Sequence, residues 1–286
     1  MWRITIMNNY NIGGTKNLDE NEVFKDVNSY PMFQEHLGIF KNELMSLVNN
    51  NEAKTFYKFG DGDYYFLKKE AVGSATPGRR ALSKNYDDIT HDAFVSGVEE
   101  NDFITVEIYN HSKFNELYPN RIIDFPAEYG YGLVANKWLL ENFSGKIGLI
   151  GASEKIQLIE KLMEYSEYQN YLRLEQFEDY LTIPQKFACD DIDELEKSIG
   201  KQLEDSTASI FLLGIGHVKS ALLHRLKKYK NAVFLDVGSG IDALAGIIDH
   251  QRPYMGDWVN YRTDDFDYGC LDILQYDIWN TEYELL

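Results

Sequence analysis

The chain has 286 residues, of which 44% are hydrophobic and 14% aromatic, with a formal net charge of -18 and a pI near 4.7. That apolar share is enough for a sizeable core and excludes general disorder, and the acidic surface excludes a general nucleic-acid binder because it repels phosphates. No apolar run approaches the roughly 18 residues of a membrane span, and the run within Met1–Met7 is too short for a signal peptide. A cytoplasmic protein is expected, with Cys189 and Cys270 as ordinary thiols of a reducing compartment.

In chain order, residues 1–30 read as a polar N-terminal arm, 31–248 as one α/β domain and 249–286 as a C-terminal extension packed on it. Phe33, Leu37, Phe40, Leu44 and Leu47 recur at spacings of four and three residues, the apolar stripe of a helix between Met32 and Asn50. A short β-type run, Lys54-Thr55-Phe56-Tyr57, follows and leads into Lys58-Phe59-Gly60-Asp61-Gly62-Asp63. The amphipathic run from Tyr64 to Lys69 then predicts a helix. Two carboxylates separated by one glycine reach a single spot only where the backbone bends freely. Two hard oxygen donors on a strand-end loop suit Mg²⁺ or Mn²⁺ bound together with a phosphate. The same residues also suit a plain turn in which Asp caps the helix.

A loop from Val72 to Arg80 leads into Arg79-Arg80-Ala81-Leu82-Ser83-Lys84, a basic cluster in an otherwise acidic chain. It reads either as a solvated helix start or as cations for a diphosphate, Arg79 and Lys84 among them. Phe103 to Ile108 is β-branched enough for a strand, and Lys146 to Ile150 is another, ending at Gly151 before a helix that Ser153 or a neighbour would cap. Glu164 to Tyr180 supports no firm assignment, and Tyr180 to Pro184 predicts a short strand. Ile192, Leu195, Ile199 and Leu203 share one helical face. The clearest unit comes next. Ser209 to Leu213 is a buried-type strand, Gly214-Ile215-Gly216-His217 a tight turn, Val218 to Lys230 a helix, and Asn231 to Val237 a further strand.

Short apolar strands alternating with amphipathic helices predict a Rossmann-like, doubly wound and mainly parallel α/β sheet. In such sheets ligands bind beyond the carboxyl ends of the strands, where Asp61, Gly151, Gly214 and Asp236 all fall. The extension after Asp249 carries His250, Arg252, Tyr254, Asp257, Trp258 and Tyr261, a mixture that suits either a sugar site or an ordinary aromatic wrap.

Leu235-Asp236-Val237-Gly238-Ser239-Gly240 resembles the glycine-rich motif of methyltransferases that bind S-adenosylmethionine. That motif normally ends a first strand, whereas two clear strands precede it here and only 46 residues follow Gly240 (286 minus 240). Taken together, the motifs in their order resemble the GT-D fold glycosyltransferases. Those domains carry an early Arg/Lys-aromatic-Gly-Asp-Gly-Glu element, a strand–Gly turn in the middle, and a late strand, Gly-x-x, helix, strand-Asp-x-Gly segment. Here the early element is Lys58 to Asp63 and the late one runs through Leu212-Leu213-Gly214-Ile215-Gly216 and Leu235-Asp236-Val237-Gly238 to Asp242, so the resemblance covers residues 54–245.

The resemblance implies a metal-dependent transferase moving a sugar from a nucleotide-diphosphate donor, a UDP-sugar in the favoured case, to a carbohydrate or glycoconjugate acceptor. It implies Asp61 and Asp63 as ligands of Mn²⁺ or Mg²⁺. Gly60, Arg79, Lys84, Gly151, Gly214, Gly216 and Asp236 are then expected around the donor, and Asp242 and His217 are the candidate general bases. Asp63 departs from the family's Glu, a shorter arm that shifts the metal or reaches it through water, and Ser239 stands where family members have His. A homo-oligomer is compatible with this reading. The competing classes are a methyltransferase and a non-catalytic interaction domain on the same fold.

Overall fold

A computed structural model describes residues 33–69, 91–184 and 188–246, with the backbone of Ile4–Thr5 and Arg262–Thr263 paired antiparallel as a small ribbon. Seven strands form one sheet: β1 (Lys54–Phe59), β2 (Phe103–Val106), β3 (Phe125–Pro126), β4 (Ile147–Ala152), β5 (Asp179–Ile183), β6 (Ile210–Gly214) and β7 (Val233–Asp236). Their spatial order is β3-β2-β1-β7-β6-β4-β5, and every neighbouring pair is parallel. The expected α/β, Rossmann-like parallel sheet is therefore present.

Both faces of the sheet are covered, which is why its central strands read as unbroken apolar runs. Phe56, Leu149, Leu212 and Leu235 face one core. Helices α1 (Phe33–Asn49), α5 (Glu128–Ala135), α6 (Trp138–Asn142), α7 (Ser153–Leu162), α8 (Ser166–Leu172) and α11 (Ser239–Leu244) contribute to it. Tyr57, Phe59, Ile150, Phe211, Leu213 and Phe234 face the other. That core is closed by α2 (Asp61–Leu67), α3 (Asp92–Glu99), α4 (His111–Leu117), α9 (Ile192–Glu204) and α10 (Lys219–Leu226). The alternation along each strand follows from the pleat, which sends successive side chains to opposite faces.

Several boundaries differ from the sequence reading, each for a local reason. β1 continues through Phe59, because Phe59 still pairs with Val106 before Gly60 breaks the ladder. The helix expected to start at Val218 begins with a 3-10 turn, Gly216–Val218, and is α-helical only from Lys219 to Leu226. Ser153 does not cap α7. Ala152 occupies the cap position without a side-chain bond, and the Ser153 hydroxyl instead donates to Glu154 at 2.6 Å. The unassigned stretch after Glu164 contains α8.

The segment leaving β1 turns onto one face as α2, while the segment leaving β7, the adjacent strand, turns onto the other as α11. Adjacent strands whose continuations diverge leave a crevice at their carboxyl ends, the usual ligand position in an open α/β sheet. Among the described residues no helix is long and apolar enough to cross a membrane. Cys189 is buried, and its thiol is pushed up to about 12 by burial and by Asp190, so it is chemically quiet; Cys270 lies outside the described residues.

Candidate active site at the carboxyl edge of the sheet

Gly60 ends β1 and Asp61 begins α2. The two carboxylates of this turn have different surroundings. Asp61 is exposed, with Oδ1 accepting the Gly62 backbone N–H at 2.8 Å. Asp63 is buried, and its Oδ2 accepts the Gly60 N–H at 2.8 Å, satisfying one of the orphan donors at the start of α2. Asp63 thus fills the capping role that the turn chemistry allowed.

Asp63 is also one corner of a buried ion cluster. Lys219, the first residue of α10, is only 7% exposed at its side chain and lies 2.8 Å from Asp236 Oδ2 and 3.2 Å from Asp63 Oδ2. It also donates to the Lys58 carbonyl and sits 5.0 Å from the centre of the Tyr57 ring. Burial pushes Asp63 up, but Lys219, followed by His217 and Lys58, more than reverses this and leaves the carboxyl well below the usual carboxylate range. Burial likewise pulls Lys219 down, and Asp236 and Asp63 together raise it above the usual lysine value. One lysine between two aspartates therefore fixes the carboxyl ends of β1 and β7 to the start of α10.

His217 stands against the same turn. Its ring stacks on Phe66 with centroids 4.6 Å apart and planes 6° from parallel. Its Nδ1 lies 3.4 Å from Asp63 Oδ1, longer than a good hydrogen bond, and that buried nitrogen has no hydrogen-bond partner among the described residues. A side chain at Gly62 would stand 3.3 Å from His217 Cε1, so the absence of a side chain there keeps the ring close to the acidic turn.

On the opposite face of β1 is a second polar group. Lys58 Nζ donates to Glu107 Oε1 at 2.7 Å, and Asn110 Nδ2 donates to Glu107 Oε2 at 3.0 Å. Any Cβ on Gly60 would approach Lys58 Nζ and Glu107 Oε2 to 3.2 Å, and one on Gly238 would approach Lys58 Cδ to 3.1 Å, so Lys58 occupies the crevice between β1 and β7. Glu128, at the start of α5, accepts the Ile108 N–H at Oε1 (3.0 Å), while its Oε2 is buried with no hydrogen-bond partner among the described residues. Burial pushes the Glu128 carboxyl up to about 7, with the neighbouring Glu107 adding to the shift.

A carboxyl raised in the folded state binds its proton more tightly there than in the unfolded chain. Its contribution to stability is therefore lost as pH rises from the ordinary glutamate value through about 7. Glu128→Gln keeps the shape and removes the titration, so its melting temperature relative to wild type is expected to be higher at pH 8 than at pH 5. Parallel melting-temperature curves for the two proteins across that range would refute it.

The structure brings Gly60, Asp61, Asp63, His217 and, through Lys219, Asp236 into one neighbourhood. It commits other candidates to packing, to a turn or to an ion pair. Asp242 is held by Lys155 of α7 at 2.5 Å. A Cβ on Gly214 would lie 2.7 Å from Ile241 Cβ, and one on Gly151 would lie 3.1 Å from Ile156 Cδ1, so both glycines make room for packed isoleucines. Gly216 has a left-handed φ of 58° and open space where a side chain would be, which is the demand of the turn itself. Arg79 and Lys84 lie outside the described residues. The glycine-rich segment that resembles a methyltransferase motif begins inside β7, the last of the seven strands in chain order, and its Asp236 is committed to Lys219.

Sequence reasoning did not single out Lys219, Glu107 or Glu128. Lys219 stands at the start of a helix in the sequence, with no local spacing to mark it out. Lys58 stood in the acidic motif without a role. Among the described residues, no group of three or more His, Cys, Asp or Glu side chains is arranged to hold a metal ion.

No protein-family profile matches the chain, and no curated protein matches it. Among solved structures the chain is similar to a glycosyltransferase (DUF1792) from Streptococcus sanguinis, with 12% identity, 83% of this chain and 95% of that chain covered, and a TM-score of 0.45. A likeness of that size does not bear on function.

Proposed function

We propose that this chain is a glycosyltransferase that moves a sugar from a nucleoside-diphosphate donor, a UDP-sugar in the favoured case, to a carbohydrate or glycoconjugate acceptor. The observation that carries the reading is the position of the acidic turn. Asp61 is exposed beside the switch-point crevice, with His217 against the same turn and Lys58 on the other side of β1.

The donor set at the turn fits a hard divalent cation of the Mg²⁺ or Mn²⁺ kind, which is commonly held by one or two carboxylates with substrate phosphates and water completing its shell. Asp61 is the residue that would hold it. Asp63, neutralised by Lys219, would act behind it by fixing the turn. Such a cation would offset the charge that grows on the departing diphosphate.

This chain's residues supply the rest. Lys58 lines the crevice but is committed to Glu107 at 2.7 Å, so Arg79 and Lys84 are proposed as the cations for the diphosphate. In the transfer, the bond from the anomeric carbon to the phosphate oxygen breaks and its electron pair stays with the diphosphate. The acceptor oxygen forms the new bond to that carbon and passes its proton to a base. Of the two candidate bases His217 is the better placed, since its ring stands against the acidic turn with Nδ1 on the Asp63 side, whereas Asp242 is held by Lys155.

The test is a thermal-shift comparison of the full chain with UDP alone, Mn²⁺ alone and both. Stabilisation is expected only with both, about 2.7 kcal/mol at a ligand concentration a hundredfold above Kd. Asp61→Asn keeps an oxygen to accept the Gly62 N–H, so it should melt like wild type without ligand and lose the joint effect. No shift with any nucleoside diphosphate and either metal would remove the proposal.

A further inference from the structure

Of the four large apolar side chains exposed among the described residues, Ile39, Val95, Tyr109 and Ile122, only Tyr109 lies in a turn just beyond the carboxyl end of a strand, and it is the most exposed at 80%. It sits in the 3-10 turn Ile108–Asn110 just beyond β2, and it makes no side-chain hydrogen bond, ion pair or ring contact among the described residues.

The turn that carries it is tightly held. The Glu107 N–H donates to the Phe59 carbonyl at 3.1 Å, and the Asn110 N–H to the Glu107 carbonyl at 2.7 Å. The Ile108 N–H donates to Glu128, the Asn110 amide to Glu107, and Lys58 to Glu107. Both neighbours of the tyrosine are only partly exposed or buried while its own ring projects into solvent. An aromatic ring on a clamped backbone loses little conformational freedom when it stacks, which is what a binding platform requires.

Across the carboxyl edge the strands run β2, β1, β7, β6. In the same order that edge presents Tyr109 after β2, Asp61 and Lys58 at β1, and His217 after β6. A nucleoside-diphosphate sugar is linear, with the diphosphate between the base and the sugar. We infer that Tyr109 is the stacking platform for the nucleobase, so that the donor lies across the edge with its base over β2, its diphosphate at β1 and its sugar toward His217. This rests on the function proposed above and adds a residue and a direction to it. Stacking tolerates any base, since each presents a π face.

The experiment is calorimetric titration of the full chain, in Mn²⁺, with UDP and separately with inorganic pyrophosphate. Tyr109→Ala should weaken UDP binding about 5- to 150-fold and leave pyrophosphate unchanged, and Tyr109→Trp should retain UDP binding. Equal UDP affinity in wild type and Tyr109→Ala overturns the inference and leaves the glycosyltransferase reading standing, including the case where Tyr109→Ala raises only the acceptor KM. A parallel loss of UDP and pyrophosphate also overturns it, because the ring then serves the fold or the diphosphate. Wild-type protein that binds neither probe removes the proposed function and this inference with it.

Discussion

Lys219→Met is expected to be the most damaging single substitution in the described part of the chain, costing about 3–5 kcal/mol and lowering the melting temperature on the order of 10 °C. The ammonium is buried between Asp63 and Asp236, and methionine fills similar volume without charge. Removing it leaves two carboxylates, each less than a tenth exposed, with no cation between them. Breaking one side of a buried ion pair costs far more than the intact pair contributes, because the desolvation penalty remains and the compensation is gone.

The pH dependence gives the sharper test. In wild type the Asp63 carboxyl is depressed, so its contribution is present above the ordinary aspartate value and is lost as pH falls below it. Lys219 is raised, so its contribution is present below the ordinary lysine value and is lost as pH rises through the folded one. Without Lys219 the largest influence on Asp63 is burial, which favours the protonated acid. The variant should therefore become more stable as pH falls from 7 to 5, a range across which this carboxyl's contribution in wild type stays fully present. The triple variant Lys219→Met, Asp63→Asn, Asp236→Asn removes all three charges and should recover part of the loss. Chemical denaturation at pH 7 and pH 5 measures both effects. A Lys219→Met protein within 1 kcal/mol of wild type at pH 7, a threshold set by exposed pairs, would show that the cluster is not the structural tie described.

The readable and unreadable parts of the chain separate along physical lines. Ile210–Leu213 and Val233–Asp236 were legible because a strand covered on both faces has no polar positions to break its apolar run. Helix α5 was not, because Glu-Tyr-Gly-Tyr-Gly-Leu-Val-Ala is buried at every position but its first and shows no polar face to set a period, and its two glycines read as breakers. Strand β3 escaped because it is two residues long and ends in proline, which only an edge strand accommodates. At the site, the acidic turn declared itself through local spacing. The division of labour inside it did not, since Asp63 is drawn inward by Lys219 from a helix far along the chain. Lys58–Glu107 and Ile108–Glu128 are likewise pairings between elements that become neighbours only once the sheet is ordered.

His217→Ala is expected to lower kcat for sugar transfer about 10²–10⁴-fold while leaving KM for the donor and the melting temperature close to wild type. The ring is 26% exposed at its side chain and its main packing partner is Phe66, so truncation opens a shallow gap at the surface rather than a core cavity. Asp63 Oδ1 lies 3.4 Å from Nδ1, so the carboxylate side of the ring faces the turn and Nε2 is the nitrogen proposed to take the acceptor's proton. The size of the loss alone does not separate a base from a positioning group. The gap left by the ring does, because it admits free imidazole, which restores the missing proton acceptor without restoring any covalent tie to the turn. The measurement is initial-rate transfer with Mn²⁺ and whichever nucleotide sugar wild type turns over, with and without added imidazole. Rescue by imidazole, and none by a nonbasic ring of the same size, identifies His217 as the proton acceptor. A loss of less than about threefold, far below what general-base catalysis supplies, would move the role away from His217 and leave this face of the crevice as structure alone.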